Sequence, residues 1–231
     1  MEFMPNFQLH RPETIEEALE ARMDNDEALY VAGGTDMLVN VRRGIEQPKN
    51  LVDLSAIHGM KSITLNSEGL HIGAGVTLKE LHGHEAVVKN YTAISHSAKA
   101  VAGSTHQMYG TVGGNLCLDT RCLFYNQSEW WRQSNDYCLK ERGDTCHVAP
   151  GGKRCFAAFS GDMAPSMLVY EAEVDIAGEG SIKRVPLKNL YNNDGLDHLT
   201  LKPGELVTAV HLPQELAGDQ SAYEKARIRG S

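Results

Sequence analysis

The sequence lacks any long hydrophobic run. No apolar stretch approaches the roughly 20 consecutive residues that a membrane-spanning helix requires. The opening segment, MEFMPNFQLHRPETIEEALEA, carries acidic residues and not the apolar core of a secretory signal. We therefore expect no membrane association and a cytoplasmic location, where thiols stay reduced.

Positive charge is also scarce. The 231 residues include 22 Lys and Arg against 30 Asp and Glu, so the formal net charge is −8. Because an acidic surface repels a phosphate backbone, we expect no nucleic-acid partner. A content of 42% hydrophobic and 23% charged residues is ordinary for a globular protein, and the length suffices for one large or two small domains.

Two common nucleotide-binding motifs, G-x-G-x-x-G and G-x-x-x-x-G-K-[ST], are missing. Instead, an apolar strand twice ends at a glycine pair, in VAGGTD (31–36) and TVGGN (111–115). Glycines let backbone N–H groups approach an anion, and Thr35, Thr111 and Asn115 can add side-chain hydrogen bonds. A single glycine pair is more often only a tight turn, but two such loops favour a phosphate or dinucleotide gripped from both sides.

Four cysteines share one aromatic stretch, and no two of them are as close in sequence as the C-x2–4-C pairs of structural zinc sites. They follow a C-x15-C-x7-C-x8-C spacing: Cys122, Cys138, Cys146 and Cys155. Four thiolates can hold zinc or an iron–sulfur cluster, and the wide spacing suits a loop around a larger object. Free thiols in a packed core are the alternative.

The cysteine stretch is rich in polar residues and cannot pack itself, which favours a metal centre that holds it together. Its tryptophans, Trp130 and Trp131, are expected to cover a cluster and shield it from water. The fifth cysteine, Cys117, is either another ligand or a small buried residue below the second glycine loop.

The residue pattern divides the chain into parts. Residues 1–57 alternate helix and strand, with a capped helix starting at Thr14, which predicts a small α/β subdomain. Residues 58–217 predict an α+β subdomain with a hairpin turning at Gly178 to Gly180. In this subdomain LKPGELVTAVHLP predicts a Pro-Gly turn followed by an edge strand. Residues 218–231 read as the start of a strand without a partner.

Several motifs together resemble a known family. AGGTDML, GLHIGAGVTL, TVGGNLC, GDMAPSMLVYEAEV and LKPGELVTAVHLP are similar to the FAD-binding medium subunit of the molybdenum hydroxylases, the xanthine dehydrogenase and carbon monoxide dehydrogenase group. The resemblance covers nearly the whole chain. The cysteine stretch narrows the resemblance to one enzyme of the family. The stretch resembles an insertion in the β subunit of 4-hydroxybenzoyl-CoA reductase, which binds a [4Fe-4S] cluster. Most family members lack this insertion.

The resemblance implies an α+β, two-subdomain FAD-binding fold of the PCMH type, with the iron–sulfur insertion at 121–156. It also implies that 218–231 is the stub of a C-terminal family domain that is absent here. FAD would lie between the subdomains, with its pyrophosphate on the glycine loops. The implied FAD-binding residues are Ala32, Gly33, Gly34, Thr35, Asp36, Thr111, Gly114, Asn115, Asp162, Leu206 and Lys225. The implied cluster ligands are Cys122, Cys138, Cys146 and Cys155, without Cys117.

The implied function is electron transfer in a molybdenum-containing 4-hydroxybenzoyl-CoA reductase. Electrons would pass from a ferredoxin-like donor through the [4Fe-4S] cluster and FAD to a [2Fe-2S] small subunit and a molybdenum-cofactor large subunit, for reductive dehydroxylation. The alternative is the FAD subunit of another family hydroxylase, acting on an aromatic or heterocyclic substrate. A zinc-stabilised nucleotide-binding or scaffold module is a third reading, from a different functional class.

Overall fold

The structure is a computed structural model that describes residues 4–25 and 27–227. It contains two β-sheets, and the expected α+β class with an FAD-domain architecture is confirmed. Buried residues from both sheets and from the helices around them form one continuous hydrophobic core. The division at residue 57 therefore stays a prediction, since the core does not separate there.

The first sheet is small and parallel. Its strand order is β1–β3–β2, from β1 (Gln8–His10), β2 (Ala28–Val31) and β3 (Asn50–Asp53). Helix α1 (Ile15–Met23) begins as predicted, because the Thr14 side chain accepts a hydrogen bond from the Glu17 N–H. Helix α2 (Met37–Arg42) follows β2. Because parallel strands end at the same edge, the chain leaves β2 and β3 on one side of this sheet.

The second sheet has five antiparallel strands in the order β4–β5–β8–β6–β7. Their bounds are Ile63–Asn66 (β4), Gly69–Gly73 (β5), Glu173–Gly178 (β6), Ser181–Pro186 (β7) and Leu206–Pro213 (β8). The β6–β7 hairpin turns where the glycines predicted it, and Gly180 has a φ of +73°.

The prediction of an edge strand after the Pro-Gly turn was wrong. Strand β8 lies at the centre of the sheet, between β5 and β6. Its first five residues, 206–210, are all buried, as expected for a strand with neighbours on both sides. The Pro-Gly turn marks only where the strand begins. The position of the strand in the sheet depends on pairing with β5 and β6, which no pattern in the turn indicates. The tail that follows, residues 219–227, forms no strand, and residues 228–231 lie outside the described part.

Seven further short helices complete the described chain. They are α3 (Leu78–Gly83), α4 (Glu85–Asn90), α5 (Thr92–Ala100), α6 (Ser104–Tyr109), α7 (Val112–Leu116), α8 (Glu129–Ser134) and α9 (Met163–Val169). Helix α5 packs against both α3 and α9, and the Tyr91 and Tyr170 rings meet edge to face with centroids 5.2 Å apart. Within the described residues, every helix is too short or too polar to cross a membrane.

We predict that Met167→Ala will destabilise the protein by about 2–5 kcal/mol, because Met167 is 0% exposed in α9 and its truncation leaves a cavity. Urea unfolding followed by circular dichroism measures the change. Met108→Ala is the matched control, since Met108 is 48% exposed, and it should stay within about 0.5 kcal/mol of the native protein. Equal losses in both variants would contradict this account of the core.

Candidate functional site

The first glycine loop connects β2 to α2 at the edge of the parallel sheet. Here Gly33, Gly34 and Thr35 lie outside any helix or strand. Among the described residues, no acceptor is found for the backbone N–H groups of these three. Successive unpaired N–H groups in a loop form a concave site of positive partial charge, which suits an anion such as a phosphate.

The two glycines of this loop serve different purposes. Gly34 has a φ of +68°, and a Cβ there would lie 2.8 Å from the Leu38 side chain. A glycine is therefore required at position 34 by both the backbone conformation and the packing. At Gly33, a Cβ would lie 1.7 Å from the carbonyl oxygen of Tyr109. Tyr109 immediately precedes the second glycine loop, so the absence of a side chain at Gly33 allows the two loops to touch.

The second glycine loop (111–115) does not follow a strand, contrary to the prediction from the sequence: Gly113 and Gly114 lie in the first turn of α7, which the Thr111 side chain caps. Its backbone N–H groups donate to protein acceptors: Val112 to Val76 O (2.9 Å), Gly113 to Ala74 O (2.8 Å) and Gly114 to Thr111 Oγ1 (3.1 Å). The two loops lie side by side as expected for a shared ligand, but they do not offer the same groups. The second loop contributes side chains and has three successive amides already paired within the protein, whereas the first contributes three successive unpaired amides.

Two of the predicted residues form an ion pair beside the second loop. The Asp162 carboxylate accepts hydrogen bonds from Lys225 Nζ (2.8 Å) and from the Tyr223 hydroxyl (2.6 Å). Burial and the nearby Asp162 carboxylate raise the pKa of Tyr223 above its usual value. Asn115 lies next to this pair, because its Oδ1 accepts from the N–H of Met163 (2.9 Å). Tyr223 is not predicted by any sequence motif, although it lies two residues from Lys225.

Leu206 is connected to the first glycine loop only indirectly. It is buried in the hydrophobic core at the start of β8. Two residues earlier, the carbonyl oxygen of Gly204 accepts a hydrogen bond from the Tyr30 hydroxyl (2.9 Å), and Tyr30 belongs to the strand that leads into the first loop. The structure thus connects the turn before Leu206 to that loop through Tyr30.

All four predicted cysteine ligands line one small cavity. The cavity-lining side chains are those of Cys122, Phe124, Tyr125, Cys138, Leu139, Lys140, Cys146, His147, Val148, Cys155 and Ala157. Cys117 is not among them. It packs against the hydrophobic core near Tyr191, and burial raises the pKa of its thiol to about 12. Within the described residues, no group of three or more His, Cys, Asp or Glu is arranged to hold a metal ion.

The thiols of the cavity differ in their electrostatic surroundings. Burial raises the pKa values of Cys138 and Cys155, although the N–H of Ala157 donates to Cys155 Sγ (3.4 Å). Burial also acts on Cys146, but hydrogen bonds from the backbone N–H groups of residues 149, 156 and 148 outweigh it and lower its pKa. Backbone donors directed at sulfur stabilise a thiolate, the form that binds metals.

The expected role of the tryptophans was wrong for Trp130. Its side chain is 74% exposed on the short helix α8 and does not line the cavity. Phe124 and Tyr125 line it instead, and the Trp131 ring packs behind Phe124 with centroids 6.2 Å apart. Neighbouring residues on a helix point in different directions, so the two tryptophans cannot both face the same cavity.

Buried ion pairs also hold the cysteine stretch together. Arg132 is 3% exposed and pairs with Glu141 (2.9 Å) and Glu129 (2.8 Å). Lys140 is 8% exposed and donates to Asp119 (2.7 Å) and to the carbonyl oxygen of residue 195 (2.9 Å). The inference that a polar segment needs a metal to hold it together was therefore too strong, because these pairs contribute as well.

The cysteine stretch begins and ends at one point. Arg121 and Ala158 form an antiparallel bridge, with N–H to O distances of 2.8 and 2.9 Å in the two directions. We call residues 121–158, which this bridge closes off, the inserted segment; the insertion itself, with the bounds 121–156, stays a prediction. At this point the Arg121 guanidinium also forms an ion pair with Asp36 of the first glycine loop.

A separate groove of about 870 Å³ lies on the five-stranded sheet. Its lining includes His71, His211 and Arg184, and no residue of either glycine loop or of the cysteine stretch. Asp175 lies beneath it and binds both His211 (2.7 Å) and Arg184 (2.8 Å). This groove is therefore distinct from the site that the sequence motifs predict.

Comparison with known proteins identifies the family. The family described as "FAD binding domain in molybdopterin dehydrogenase" matches residues 5–215. The chain is 32% identical to the aldehyde oxidoreductase FAD-binding subunit PaoB of Escherichia coli, over 99% of this chain and 74% of the relative. It is 29% identical to the nicotinate dehydrogenase FAD-subunit of Eubacterium barkeri, over 99% of this chain and 65% of that relative.

Solved structures agree on the fold. A chain of the carbon monoxide dehydrogenase from Hydrogenophaga pseudoflava superimposes with a TM-score of 0.75 at 19% identity, over 98% of this chain and 66% of that one. With the described glycine loops and the match over residues 5–215, the chain belongs to the FAD-binding medium subunits of the molybdenum hydroxylase, or xanthine dehydrogenase, family.

Proposed function

We propose that the chain binds FAD with the pyrophosphate on the first glycine loop. The observation that carries the proposal is the row of unpaired N–H groups at Gly33, Gly34 and Thr35, because a phosphate oxygen is the partner that such a row lacks. These amides lie at the carboxyl edge of a parallel sheet, where open α/β sheets bind their ligands.

The remaining FAD contacts in the proposal come from the second loop and the C-terminal tail. The Thr111 hydroxyl and the Asn115 amide form the second wall, and Asp162 with Lys225 lies beside it. The Asp162–Lys225 pair is nearly neutral, so it can accept hydrogen bonds from a cofactor without repelling its phosphates. The complete proposed set is Ala32, Gly33, Gly34, Thr35, Asp36, Thr111, Gly114, Asn115, Asp162, Leu206 and Lys225.

We infer further that Cys122, Cys138, Cys146 and Cys155 hold a [4Fe-4S] cluster. A tetrahedral zinc ion draws four sulfurs to about 2.3 Å from one centre, whereas a cluster keeps them further apart, because iron and sulfide occupy the middle. The wide spacing of the four cysteines in the sequence, together with their common cavity, supports the cluster over zinc. The sulfur-directed N–H group at Ala157 supports the same reading.

The two cofactors would together supply electron transfer, since FAD exchanges electrons in pairs or singly and a cluster exchanges one at a time. The chain's own residues position and tune them. Phe124 and Tyr125 exclude water from the thiol cavity, and the buried Lys140 places a positive charge beside it. In this division of work, bond chemistry belongs to a molybdenum-cofactor large subunit, and a [2Fe-2S] small subunit links the two.

The substrate proposal has two candidates. The cysteine stretch resembles that of 4-hydroxybenzoyl-CoA reductase, which favours reductive dehydroxylation with electrons entering from a ferredoxin-like donor. The names of the relatives favour the second candidate, a hydroxylase of the same family with electrons leaving through this chain. The 32% identity to an aldehyde oxidoreductase subunit spans 99% of the chain, so it is not confined to the glycine loops.

The domain boundaries remain part of the proposal. We assign residues 1–57 and 58–217 to the two FAD subdomains, and 218–231 to the start of a further domain. The ion pair from Lys225 to Asp162 supports the proposal that this last segment contributes to the cofactor site.

FAD binding is tested with Gly33→Ala. The new Cβ would lie 1.7 Å from the Tyr109 carbonyl oxygen, so the loops must separate. We expect the FAD dissociation constant, measured by flavin fluorescence quenching, to rise at least about tenfold, a loss of about 1.4 kcal/mol. Gly59→Ala is the control, since nothing lies within 4 Å of its Cβ position. Unchanged FAD binding by a folded Gly33→Ala protein would show that this loop is not the site.

The four-thiol site is tested by replacing each cysteine in turn with serine and measuring iron and acid-labile sulfide. Loss of any one of the four cavity cysteines should abolish or convert the cluster, whereas Cys117→Ala should keep the native iron content, because Cys117 lies against the core. Zinc in place of iron in the purified native protein would contradict the assignment, and so would full iron retention in all four variants.

The substrate candidates are separated in the purified assembly by following flavin absorbance. With a reductive enzyme, chemically reduced protein should recover its flavin colour on addition of 4-hydroxybenzoyl-CoA. With a hydroxylase, oxidised protein should lose that colour on addition of an aldehyde or a heterocyclic substrate. The reductase predicts recovery of flavin absorbance and the hydroxylase predicts its loss, so either result rejects the other candidate.

A further inference from the structure

Arg121 occupies the junction between the two proposed cofactor sites. Its backbone closes the base of the inserted segment through the bridge to Ala158, and the next residue is the cavity thiol Cys122. Its guanidinium extends the opposite way, to the Asp36 carboxylate and to Asn40 Oδ1 (3.4 Å). A single residue thus has its backbone in the cysteine segment and its charge in the glycine loop.

The position of Asp36 makes this contact important for an anion. Asp36 directly follows the three unpaired amides of the first loop. A free carboxylate there would repel a phosphate bound to those amides, since like charges at short range disfavour each other. Arg121 neutralises the carboxylate, and both side chains are partly buried, at 34% and 26% exposure, so solvent screens the pair less than at an open surface.

We propose that Arg121 is a positioning residue that couples metal loading of the four-thiol site to FAD affinity at the first glycine loop. This inference rests on the proposed function. A filled thiol site fixes Cys122 and the adjoining Arg121 backbone, which keeps the guanidinium on Asp36 and the loop receptive to phosphate. An empty site loosens the segment and releases Asp36. Because such coupling is reciprocal, bound FAD must equally favour retention of the metal.

Another connection could carry the same effect. Arg132 of the inserted segment donates to the carbonyl oxygen of Gly44, just beyond α2 (3.3 Å). The experiment must therefore separate Arg121 from a general stiffening of the segment. A double-mutant cycle does this, because the coupling disappears only when the residue that carries it is removed.

The experiment measures the FAD dissociation constant of the full chain in four forms: native, Cys146→Ser, Arg121→Met and the double variant. Cys146→Ser removes one ligand of the thiol site, and so abolishes or converts the cluster, without altering a neighbour of Arg121. We expect it to weaken FAD binding at least about fivefold in the native background. Arg121→Met should already bind FAD more weakly, and adding Cys146→Ser should change its affinity no further.

Three further variants complete the design. Arg184→Met removes an arginine paired with Asp175 on the second sheet, so the fivefold response to Cys146→Ser should persist. Arg121→Lys keeps the charge and should retain part of the response. If Arg121→Met does not fold, Asp36→Asn removes the other partner of the ion pair and should abolish the response equally.

The effect of FAD on iron retention gives a second measurement, which a merely structural role of Arg121 would not change. In native protein, FAD should slow the loss of iron to a chelator, and in Arg121→Met it should not. If the effects of Arg121→Met and Cys146→Ser on the FAD dissociation constant multiply, and the native protein binds both FAD and iron, the coupling is wrong but the proposed function stands. A native chain that binds neither FAD nor iron would overturn the proposed function and the coupling together.

Discussion

The contact between Gly33 and the carbonyl oxygen of Tyr109 sets the spacing of the whole site. Any side chain at Gly33 would occupy the position of that oxygen. The first loop follows a strand of the parallel sheet, and the second begins helix α7, so this contact joins two different parts of the fold. The unpaired amides, the Thr111 hydroxyl and the Asp162 carboxylate acquire their relative positions from it.

The inserted segment shows how a polar stretch can be folded without an apolar core of its own. Arg132 and Lys140 are buried with their charges matched by carboxylates and carbonyl oxygens. Buried ion pairs add little net stability compared with apolar packing, but removing one partner is costly, so they specify one arrangement. Here that arrangement brings four thiols, separated widely in sequence, to a common cavity.

Features governed by local chemistry could be predicted from the sequence. The helix after Thr14 depends on a hydrogen bond three residues away, and the hairpin at Gly180 depends on its own turn. The cysteine spacing likewise located the residues of the cavity. The central position of β8 could not be predicted, because it depends on pairing with β5 and β6, and a Pro-Gly turn is equally compatible with an edge. The ion pair between Asp36 and Arg121 joins residues distant in sequence, and no local pattern indicates it.

The bridge between Arg121 and Ala158 has a consequence for the history of the fold. Because the segment leaves and re-enters the host at adjacent backbone positions, its removal would leave two ends already close enough to be joined by a short turn. Loop-closure entropy grows only slowly with length, so a long segment at such a point strains the surrounding sheets little. A segment joined in this way can be gained or discarded by a lineage as a unit, while the flavin-binding scaffold on either side stays unchanged.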